Sequence, residues 1–385
     1  MASFGFQHAG PNLPGQNNAS LEALKVVRSL LESFDRKNEI KFRMERIVGQ
    51  GARGVTMKMK MTSGGPNGLS GEVKYFAIKA SLDDQGNQNL RQEMRFLRRL
   101  RGASHIQQLY GVRGEPMVGS ISYLNRPALV TEWIPNGLVA ALINRLADFD
   151  GPVPNRMIWR FFLCLCRALV SMAWPPADPG NTRVQDGIVP ELVRGQRLPQ
   201  SLIVHGDLNM QNVMIGDFQG GGHELVPILK VIDFGASSEM PADSPNEAAV
   251  KNNMFNIAGV LLNIVGGNSR IAGNMKVTDE RGMEKTIRSH ARDLDGLNPA
   301  YKAPPVLIAR HKRKMDNLDP DIRNLLALCL AANVNDRPSL PYLVQEVERN
   351  VQEKTADKYT SYPFRENESD DNIRSFAQRH VLNPS

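Results

Sequence analysis

The stretch VHGDLNMQNVMIG, residues 204–216, constrains this chain most, because it places five polar side chains between two short apolar runs. A further apolar run, LKVID, follows it and ends at an acidic residue. Apolar runs of this length, bounded by polar and glycine-bearing segments, are typical of short buried strands. The sequence therefore predicts strands at 202–204, 213–215 and 228–232.

The polar side chains around these strands suit proton transfer and cation binding. Asp207 could take a proton from an attacking hydroxyl group, although an ordinary turn aspartate is the alternative. Asn212 offers a carbonyl oxygen and Asp233 a carboxylate, and oxygen atoms are the ligands that hard divalent cations prefer. His205 is expected to support the loop through hydrogen bonds.

The segment IVGQGARGV contains the pattern G-x-G-x-x-G, formed by Gly49, Gly51 and Gly54. Glycines in a turn let backbone amides approach phosphate oxygens without a side-chain clash. The pattern is weak by itself, because ordinary turns also use glycine. It is not a dinucleotide-binding fingerprint, since a predicted strand rather than a helix follows it.

A lysine and a glutamate form another candidate pair. In YFAIKA, residues 75–80, strand alternation puts Ala77 and Lys79 on one face. A lysine on the inner face of a short apolar strand needs an anion, whereas on an edge strand it would lie in solvent. The next predicted helix, NLRQEMRFLRRL, carries Glu93 beside its apolar stripe. Glu93 could pair with Lys79 and hold the amine against the phosphates of a nucleotide.

The order of these motifs along the chain resembles the eukaryotic protein kinase family. The motifs are a glycine loop, a lysine strand, a glutamate helix, H-x-D-x-x-x-x-N and D-F-G. ALVTEWIPNG (128–137) is similar to the segment that links the two kinase lobes, and RPS (337–339) to a signature of the closing helices. The resemblance covers about residues 41–350. It implies an α+β, bilobal protein-kinase-like fold with a small β-rich N-lobe and a larger α-helical C-lobe.

The resemblance also implies roles for individual residues in an ATP- and Mg²⁺-dependent phosphoryl transfer to a protein substrate. Asp207, Lys79 and Glu93 would be the catalytic residues, with Asp207 as the base. Asn212 and Asp233 would hold Mg²⁺. The nucleotide-binding residues would be Gly49, Gly51, Gly54, Ala77, Lys79, Thr131, Glu132 and Ile134.

Three positions in the loop depart from the kinase pattern H-R-D-L-K-x-x-N. Gly206 replaces the arginine that usually pairs with a phosphorylated activation segment. Asn209 replaces the lysine that usually meets the γ-phosphate. Gln211 occupies the position where tyrosine-specific members carry an arginine. By analogy with losing one oxyanion donor, a lost cation would slow transfer by about two to three orders of magnitude.

Departures also occur after D-F-G, where the activation segment is short and lacks A-P-E. Glu247, in SPNEAAV, is the candidate partner of Arg337. Asn253 stands where the family has a buried helix aspartate. These changes bear on docking of a protein substrate more than on binding of ATP.

Three functions stay open on this basis. The leading interpretation is an active, divergent Ser/Thr-type protein kinase, which the complete set of catalytic residues favours. A nucleotide-binding pseudokinase or scaffold protein is the first alternative, which the missing loop cation favours. A small-molecule phosphotransferase is the second, which the H-G-D loop favours and the RPS signature opposes.

The sequence predicts a small strand-rich lobe followed by a larger helical lobe. Predicted helices span 21–36, 87–101, 137–148, 155–173, 251–265, 320–332 and 339–352. Further strands are predicted between 41 and 82, with a long hairpin loop at 62–71, and near 106–112 and 127–133. The domain assignment is a flexible tail at 1–20, a helix plus N-lobe at 21–134, a C-lobe at 135–354 with a surface insertion at 175–200, and a polar, poorly ordered tail at 355–385.

Composition sets the remaining limits. The 385 residues, 41% of them hydrophobic, allow one large core or two lobes. No run of eighteen apolar residues and no secretory signal occur, so no membrane partner and a cytoplasmic or nuclear location are expected. The net charge of +7 favours acidic partners such as nucleotides. Nucleic-acid binding is not expected, because the basic runs at 91–101 and 309–314 are interpreted as a solvated helix face and a solvated loop.

The three cysteines lie in apolar segments. Cys164 and Cys166 are two residues apart, and Cys329 is in LLALCLA. Too few cysteines are present for a metal cluster, so buried structural thiols are expected rather than a redox pair.

Overall fold

The computed structural model describes residues 20–35, 42–61, 74–110, 126–176, 191, 193, 201–241, 243–245, 247–268, 272–297 and 304–382. The tail expected at 1–20, except Ser20, and the hairpin loop expected at 62–71 lie outside these residues. Most of the insertion expected at 175–200 also lies outside them. The fold is of the α+β class and divides into two compact units.

The first unit takes its described residues from Met1–Arg98 and Gln108–Trp133. Its elements are α1 (Leu21–Asp35), β1 (Phe42–Gln50), β2 (Gly54–Met61), β3 (Lys74–Ser81), α2 (Asp84–Arg99) and β4 (Ala128–Glu132). The four strands form one antiparallel sheet in the order β1-β2-β3-β4. Strand β3 therefore lies inside the sheet, which excludes the edge-strand alternative for its lysine.

The core of this unit lies between the sheet and α1. Alternate residues of neighbouring strands are buried there, as the two-residue period of a strand requires. The main members are Val55, Met57, Met59, Phe76, Ile78 and Val130 from the sheet and Ala23, Val27 and Leu30 from α1. This arrangement leaves Ala77 and Lys79 on the opposite face of β3, as the alternation predicts.

The second unit comprises Arg99–Gln107 and the described residues of Ile134–Ser385. Its elements are α3 (Val139–Ala147), α4 (Asn155–Ala173), β5 (Ile203–Val204), β6 (Val213–Ile215), β7 (Leu229–Val231), β8 (Ser238–Glu239), α5 (Ala248–Ile264), β9 (Gly273–Thr278), β10 (Glu284–Ser289), α6 (Pro305–Asp316), α7 (Pro320–Cys329), α8 (Leu340–Glu353) and α9 (Asp370–Phe376). The strands pair as three antiparallel two-stranded ribbons, β5–β8, β6–β7 and β9–β10.

Helix α4 is the central element of the second unit. Seventeen of its 19 residues are buried, and it contacts α5, α8 and β7. A helix that is apolar nearly all round lies inside a core rather than on its surface. The short ribbons β5–β8 and β6–β7 lie against this core, and they carry the polar loops described below.

Most predicted elements are confirmed. The helices expected at 21–36, 137–148, 155–173, 251–265, 320–332 and 339–352 correspond to α1, α3, α4, α5, α7 and α8. The strands expected at 202–204, 213–215 and 228–232 correspond to β5, β6 and β7. The helix expected at 87–101 begins three residues earlier, at Asp84.

The strand predicted near 106–112 is wrong in its described part. Ile106 and Leu109 make only isolated bridges, to Val231 and Thr131. Successive residues thus pair with different strands rather than along one neighbour. The hairpin β9–β10 was not predicted, although its alternating burial and its turn at 279–282 are ordinary hairpin signals.

The solvated loop expected at 309–314 and the poorly ordered tail expected at 355–385 are also wrong. The basic run lies within α6. In the C-terminal segment, Ile373, Phe376 and Val381 are buried in the second unit. The prediction failed because it was based on the polar average composition of the segment, which contains only a few apolar residues.

Glu368 connects the C-terminal segment to the central helix. Its buried carboxylate accepts hydrogen bonds from the backbone N–H groups of Asn155 (2.7 Å) and Arg156 (3.0 Å) at the start of α4. The first N–H groups of a helix have no partner within it, and a negative charge there is favourable. Pro154, which precedes α4, provides no side-chain cap. Glu368 therefore acts as the cap of this helix from a distant part of the chain.

Candidate functional site

Lys79 and Glu93 form an ion pair in the first unit. Lys79 Nζ donates to Glu93 Oε2 across 2.8 Å, and the carboxylate side chain is only 2% exposed. Helix α2 buries Glu93 together with Leu90 and Met94 of its apolar stripe. The pairing inferred from the sequence is confirmed. The Lys79 side chain is 28% exposed, and its amine is held by a fixed anion.

The three predicted loop glycines lie at the β1–β2 turn. The N–H of Gly51 donates to the carbonyl of Gly54 across 2.9 Å and closes the turn. A Cβ at Gly49 or Gly51 would meet no atom within 4 Å, whereas one at Gly54 would lie 3.2 Å from the carbonyl oxygen of Ala80. A side chain at Gly54 would therefore be crowded against β3, while one at Gly49 or Gly51 would lie in open space.

The predicted adenine-pocket residues are distributed over both units. Ala77 of β3 pairs in register with Thr131 of β4, and both are buried. The N–H of Glu132 donates to Gln108 O across 2.9 Å, so this amide has an internal partner. Ile134 is buried in the second unit. The structure brings Ala77 and Thr131 together and fixes the backbone of Glu132.

In the second unit, Asn212 is held against Asp207. Asn212 Nδ2 donates to Asp207 Oδ2 across 3.0 Å and to the Asp207 carbonyl across 2.7 Å. These two bonds fix the orientation of the amide, and its oxygen, Oδ1, is the atom that can bind a cation. The five-residue spacing between the two residues thus closes a compact turn, as the motif predicts.

Asn209 also contacts Asp207, which the sequence argument missed. Its Nδ2 donates to Asp207 Oδ1 across 2.8 Å and to the Asp207 carbonyl across 3.1 Å. A neutral amide therefore occupies the place where the kinase pattern has a lysine. Each carboxylate oxygen of Asp207 accepts one side-chain amide, from Asn209 or Asn212.

The β6–β7 ribbon brings Asp233 to the same end as Asn212. Val213, the first residue of β6, is paired with Val231, the last residue of β7. The ribbon is antiparallel, so the residue before β6 and the residues after β7 lie at one end. The N–H of Ile232 donates to Asn212 O across 3.0 Å and extends the pairing by one step.

Asp233 has a left-handed backbone, with φ 60° and ψ 72°. Among the described residues it is the one non-glycine residue with positive φ. Such a conformation costs of order 1–3 kcal/mol and is often found where a side chain must be directed for function. The carboxylate Oδ1 accepts the N–H of Gly235 across 3.3 Å, which fixes the turn into the D-F-G segment.

His205 links the loop to the D-F-G segment, as expected for a supporting residue. Its ring packs on Phe234 with 4.6 Å between centroids, and Nε2 donates to Ile232 O across 2.9 Å. Nδ1 accepts the N–H of Asp207 across 3.3 Å. These two roles require the neutral ring. Burial lowers the pKa of His205, which favours that form.

Gly206 has a structural reason to lack a side chain. Its φ is +80°, and a Cβ would lie 2.3 Å from the carbonyl oxygen of Ala236. The D-F-G segment passes directly over this residue, and Ser237 Oγ donates to His205 O across 3.0 Å. An arginine, as in the kinase pattern, would not fit here without a shift of the backbone.

Asn253 of α5 binds the backbone on the N-terminal side of the loop that carries Asp207. It is 1% exposed. Its Oδ1 accepts the N–H of His205 across 3.0 Å, and its Nδ2 donates to Ile203 O across 2.8 Å. An aspartate could accept the first bond but could not donate the second.

The expected pair between Glu247 and Arg337 is not what the structure shows. Arg337 donates to the carbonyls of Ala331 (3.0 Å) and Lys251 (2.9 Å) and lies over the ring of Phe255. Glu247 pairs instead with Lys251, at 3.6 Å. The arginine therefore anchors the backbone of α5, and the SPNEAAV segment does not replace A-P-E through this contact.

Comparison with known proteins gives no family: no family model matches the chain, and no curated protein matches its sequence. In the part of the chain that the structure describes, no helix combines the length and the apolar composition that a membrane crossing requires.

Proposed function

We propose that this chain is an ATP- and Mg²⁺-dependent protein kinase with a bilobal kinase-like fold, divergent in its catalytic loop, that phosphorylates Ser or Thr hydroxyls of a protein substrate. The observation that carries the proposal is the arrangement of Asp207, Asn212 and Asp233. The Asn212 amide bonds to Asp207, and the β6–β7 ribbon sets Asp233 at the end where Asn212 lies.

The oxygen atoms at this end of the ribbon fit Mg²⁺. Hard cations prefer carboxylate and amide oxygens, and Asn212 Oδ1 and the Asp233 carboxylate are of that kind. The left-handed backbone of Asp233 costs conformational energy. Such costly conformations are common at sites where function requires a particular side-chain direction. Bound Mg²⁺ would neutralise charge on the phosphates of ATP.

The first unit carries side chains and backbone groups of the kinds that bind a nucleotide. Lys79, fixed by buried Glu93, would bind the α- and β-phosphates. The open glycine turn would cover the phosphates with backbone N–H groups, since Gly49 and Gly51 present no side chain. Ala77 and Thr131 would line the adenine pocket, and the backbone from Glu132 to Ile134 would bind the base.

Asp207 would accept the proton of the attacking hydroxyl group. Its two oxygens are oriented by Asn209 and Asn212, so the carboxylate has one fixed direction. Orientation of this kind is a large part of catalysis in phosphoryl transfer, where little covalent chemistry falls to the protein. Asn209 contributes no positive charge, and we therefore expect a low turnover rate.

Nucleotide binding without transfer is the second candidate function. The observation that favours it is the neutral amide of Asn209 on Asp207, where the kinase pattern has a lysine. Transfer to a small molecule instead of a protein is the third possibility, because H-G-D loops also occur in such enzymes.

Transfer from radiolabelled ATP, with Mg²⁺, to the chain itself or to casein tests the proposal. We expect slow incorporation by the wild type and a loss of about 10²–10⁴-fold in Asp207→Asn. Asp243→Asn is the matched control, because Asp243 is exposed and lies beyond the D-F-G segment. Label found only on amino alcohols or sugars would assign the small-molecule function instead.

A thermal shift on adding ATP and Mg²⁺ tests the binding step separately. We expect stabilisation of the wild type, a smaller gain in Lys79→Met, and a full gain in Lys60→Met. Lys60 is a lysine of the neighbouring strand, β2. Thermal stabilisation by ATP without phosphoryl transfer supports the second candidate function. Equal thermal shifts in Lys79→Met and Lys60→Met would show that Lys79 does not bind the phosphates.

A further inference from the structure

Three side chains from distant parts of the second unit converge, and none of them is a proposed phosphoryl-transfer residue. They are His105, in the loop after α2, Cys164, in α4, and His223, in the turn between β6 and β7. All three are buried, and one potential ligand atom from each lies within 4.8 Å of the others. Neither phosphate binding nor proton transfer by Asp207 uses them.

The separations of these side chains are close to those around a tetrahedral metal ion. His105 Nε2 and His223 Nε2 are 3.2 Å apart, and Cys164 Sγ is 3.9 Å from His223 Nδ1. The two contacts use different nitrogens of His223, and one of these nitrogens would bind the ion. Two nitrogens bound to one tetrahedral Zn²⁺ are about 3.3 Å apart, and a nitrogen and a sulfur about 3.6 Å apart, given Zn–N and Zn–S bonds of about 2.0–2.1 and 2.3 Å. Small movements of side chains would bring the three groups onto one ion.

Glu191 orients one of the two imidazoles. Its side chain is 3% exposed, and its Oε2 is hydrogen-bonded to His105 Nδ1. Ser104 Oγ and Ser171 Oγ each donate to the same carboxylate across 2.9 Å. Because Nδ1 is engaged by Glu191, Nε2 is the nitrogen of His105 that faces His223. Metal-binding histidines commonly donate their other nitrogen to a carboxylate in this way.

The charges also balance around a divalent cation. A metal-bound Cys164 is a thiolate, and Glu191 is a buried carboxylate, so the set carries two buried negative charges. Buried charges are stable when they are paired or when they surround a metal. One thiolate and two imidazoles are a ligand set that suits Zn²⁺ and is poor for Mg²⁺.

We propose that His105 Nε2, Cys164 Sγ and a ring nitrogen of His223 bind one Zn²⁺ ion, with Glu191 as the carboxylate that orients His105. The three side chains leave one tetrahedral position for a small ligand such as water. The ion would tie the turn of the β6–β7 ribbon to α4. It would thereby stabilise the ribbon that carries Asn212 and Asp233, although the site does not depend on the proposed kinase activity.

The alternative is a metal-free relay in which Glu191, His105, His223 and Cys164 bond in sequence. Metal analysis of the full-length chain, expressed with zinc and purified without a polyhistidine tag, separates the two. We expect about one Zn²⁺ per chain in the wild type and in Cys329→Ala. Cys329 is the matched control because it is equally buried and lies outside the cluster. Cys164→Ala and His223→Gln should each lose the ion.

A second measurement keeps the proposal testable if those variants fail to fold. Wild-type protein stripped with a chelator and given Co²⁺ should show thiolate-to-cobalt charge transfer and intense visible bands of tetrahedral cobalt. Chelation should also lower the melting temperature, and Zn²⁺ should restore it. A wild-type chain that takes up neither ion, with a melting temperature unmoved by chelator, has the relay and not the metal site.

Discussion

The side-chain amide of Asn209 donates to Asp207 Oδ1 across 2.8 Å, at the position where the kinase pattern carries a lysine. The bond keeps the carboxylate oriented without adding positive charge. Orientation and charge are thus separable in this loop, and a substitution at this one position can test them independently.

Asn209→Lys should raise the rate of phosphoryl transfer at least tenfold, because a lysine would stabilise the negative charge of the phosphoryl group in the transition state. Asn209→Ala, which loses the bond to Asp207 and adds no charge, should lower the rate. Initial rates with radiolabelled ATP give the comparison. Asn252→Lys is the control for net charge, since it adds a lysine at an exposed position on α5. An equal rise in Asn252→Lys would show that overall charge, not the loop, is responsible.

Gly206→Ala should destabilise the second unit by about 2–4 kcal/mol, since it combines a left-handed backbone with a clash against Ala236 O at 2.3 Å. Chemical denaturation measures the difference. Gly220→Ala is the matched control, because a Cβ there meets no atom within 4 Å and its φ is not positive. If Gly206→Ala lost no more unfolding free energy than Gly220→Ala, the D-F-G segment would have to move away from the new side chain at little cost.

The local part of the candidate site could be predicted from the sequence. Alternation in YFAIKA placed Lys79 on one face of β3, and the helical stripe of α2 placed Glu93 beside it. The fixed spacing of five residues brought Asn212 back to Asp207. These contacts depend on the periodicity of one strand or helix or on one tight turn, and each leaves a pattern in a short stretch.

The His105–Cys164–His223 cluster could not be predicted in that way. Its members are 59 and 118 residues apart along the chain, and no spacing motif joins them. Only the path of the β6–β7 turn brings His223 to α4. The C-terminal helix is a different case, because Ile373, Phe376 and Ala377 follow a helical spacing that a local reading could have detected.

Replacement of Glu368 should destabilise the second unit. Glu368→Gln keeps one acceptor oxygen but directs an NH₂ group toward a backbone N–H of α4, so that one buried donor loses its partner. We expect a loss of about 1–3 kcal/mol in the free energy of unfolding. Glu366→Gln is the control, because Glu366 is exposed two residues away. Equal stabilities of the two variants would show that Glu368 does not cap α4.

Acidification should weaken the fold through His205. Burial lowers the pKa of His205 from 6.5, against the opposing effects of the Ile232 carbonyl and the carboxylates of Asp233 and Asp207. The unfolded chain then binds a proton near pH 6.5 while the folded chain does not, so the free energy of unfolding falls as the pH drops below that value. One such group contributes a slope of at most about 1.4 kcal/mol per pH unit.

Denaturation of the wild type and of His205→Gln at a series of pH values isolates this contribution. The variant should be less stable near pH 7.5, because it loses the contacts of the ring with Ile232 and Phe234. Its stability should then fall less steeply than that of the wild type between about pH 6.5 and 5, since no histidine is left at this position to protonate on unfolding. Parallel curves in the two proteins would show that His205 binds its proton equally well in the folded state, in conflict with a neutral ring that donates through Nε2 and accepts through Nδ1.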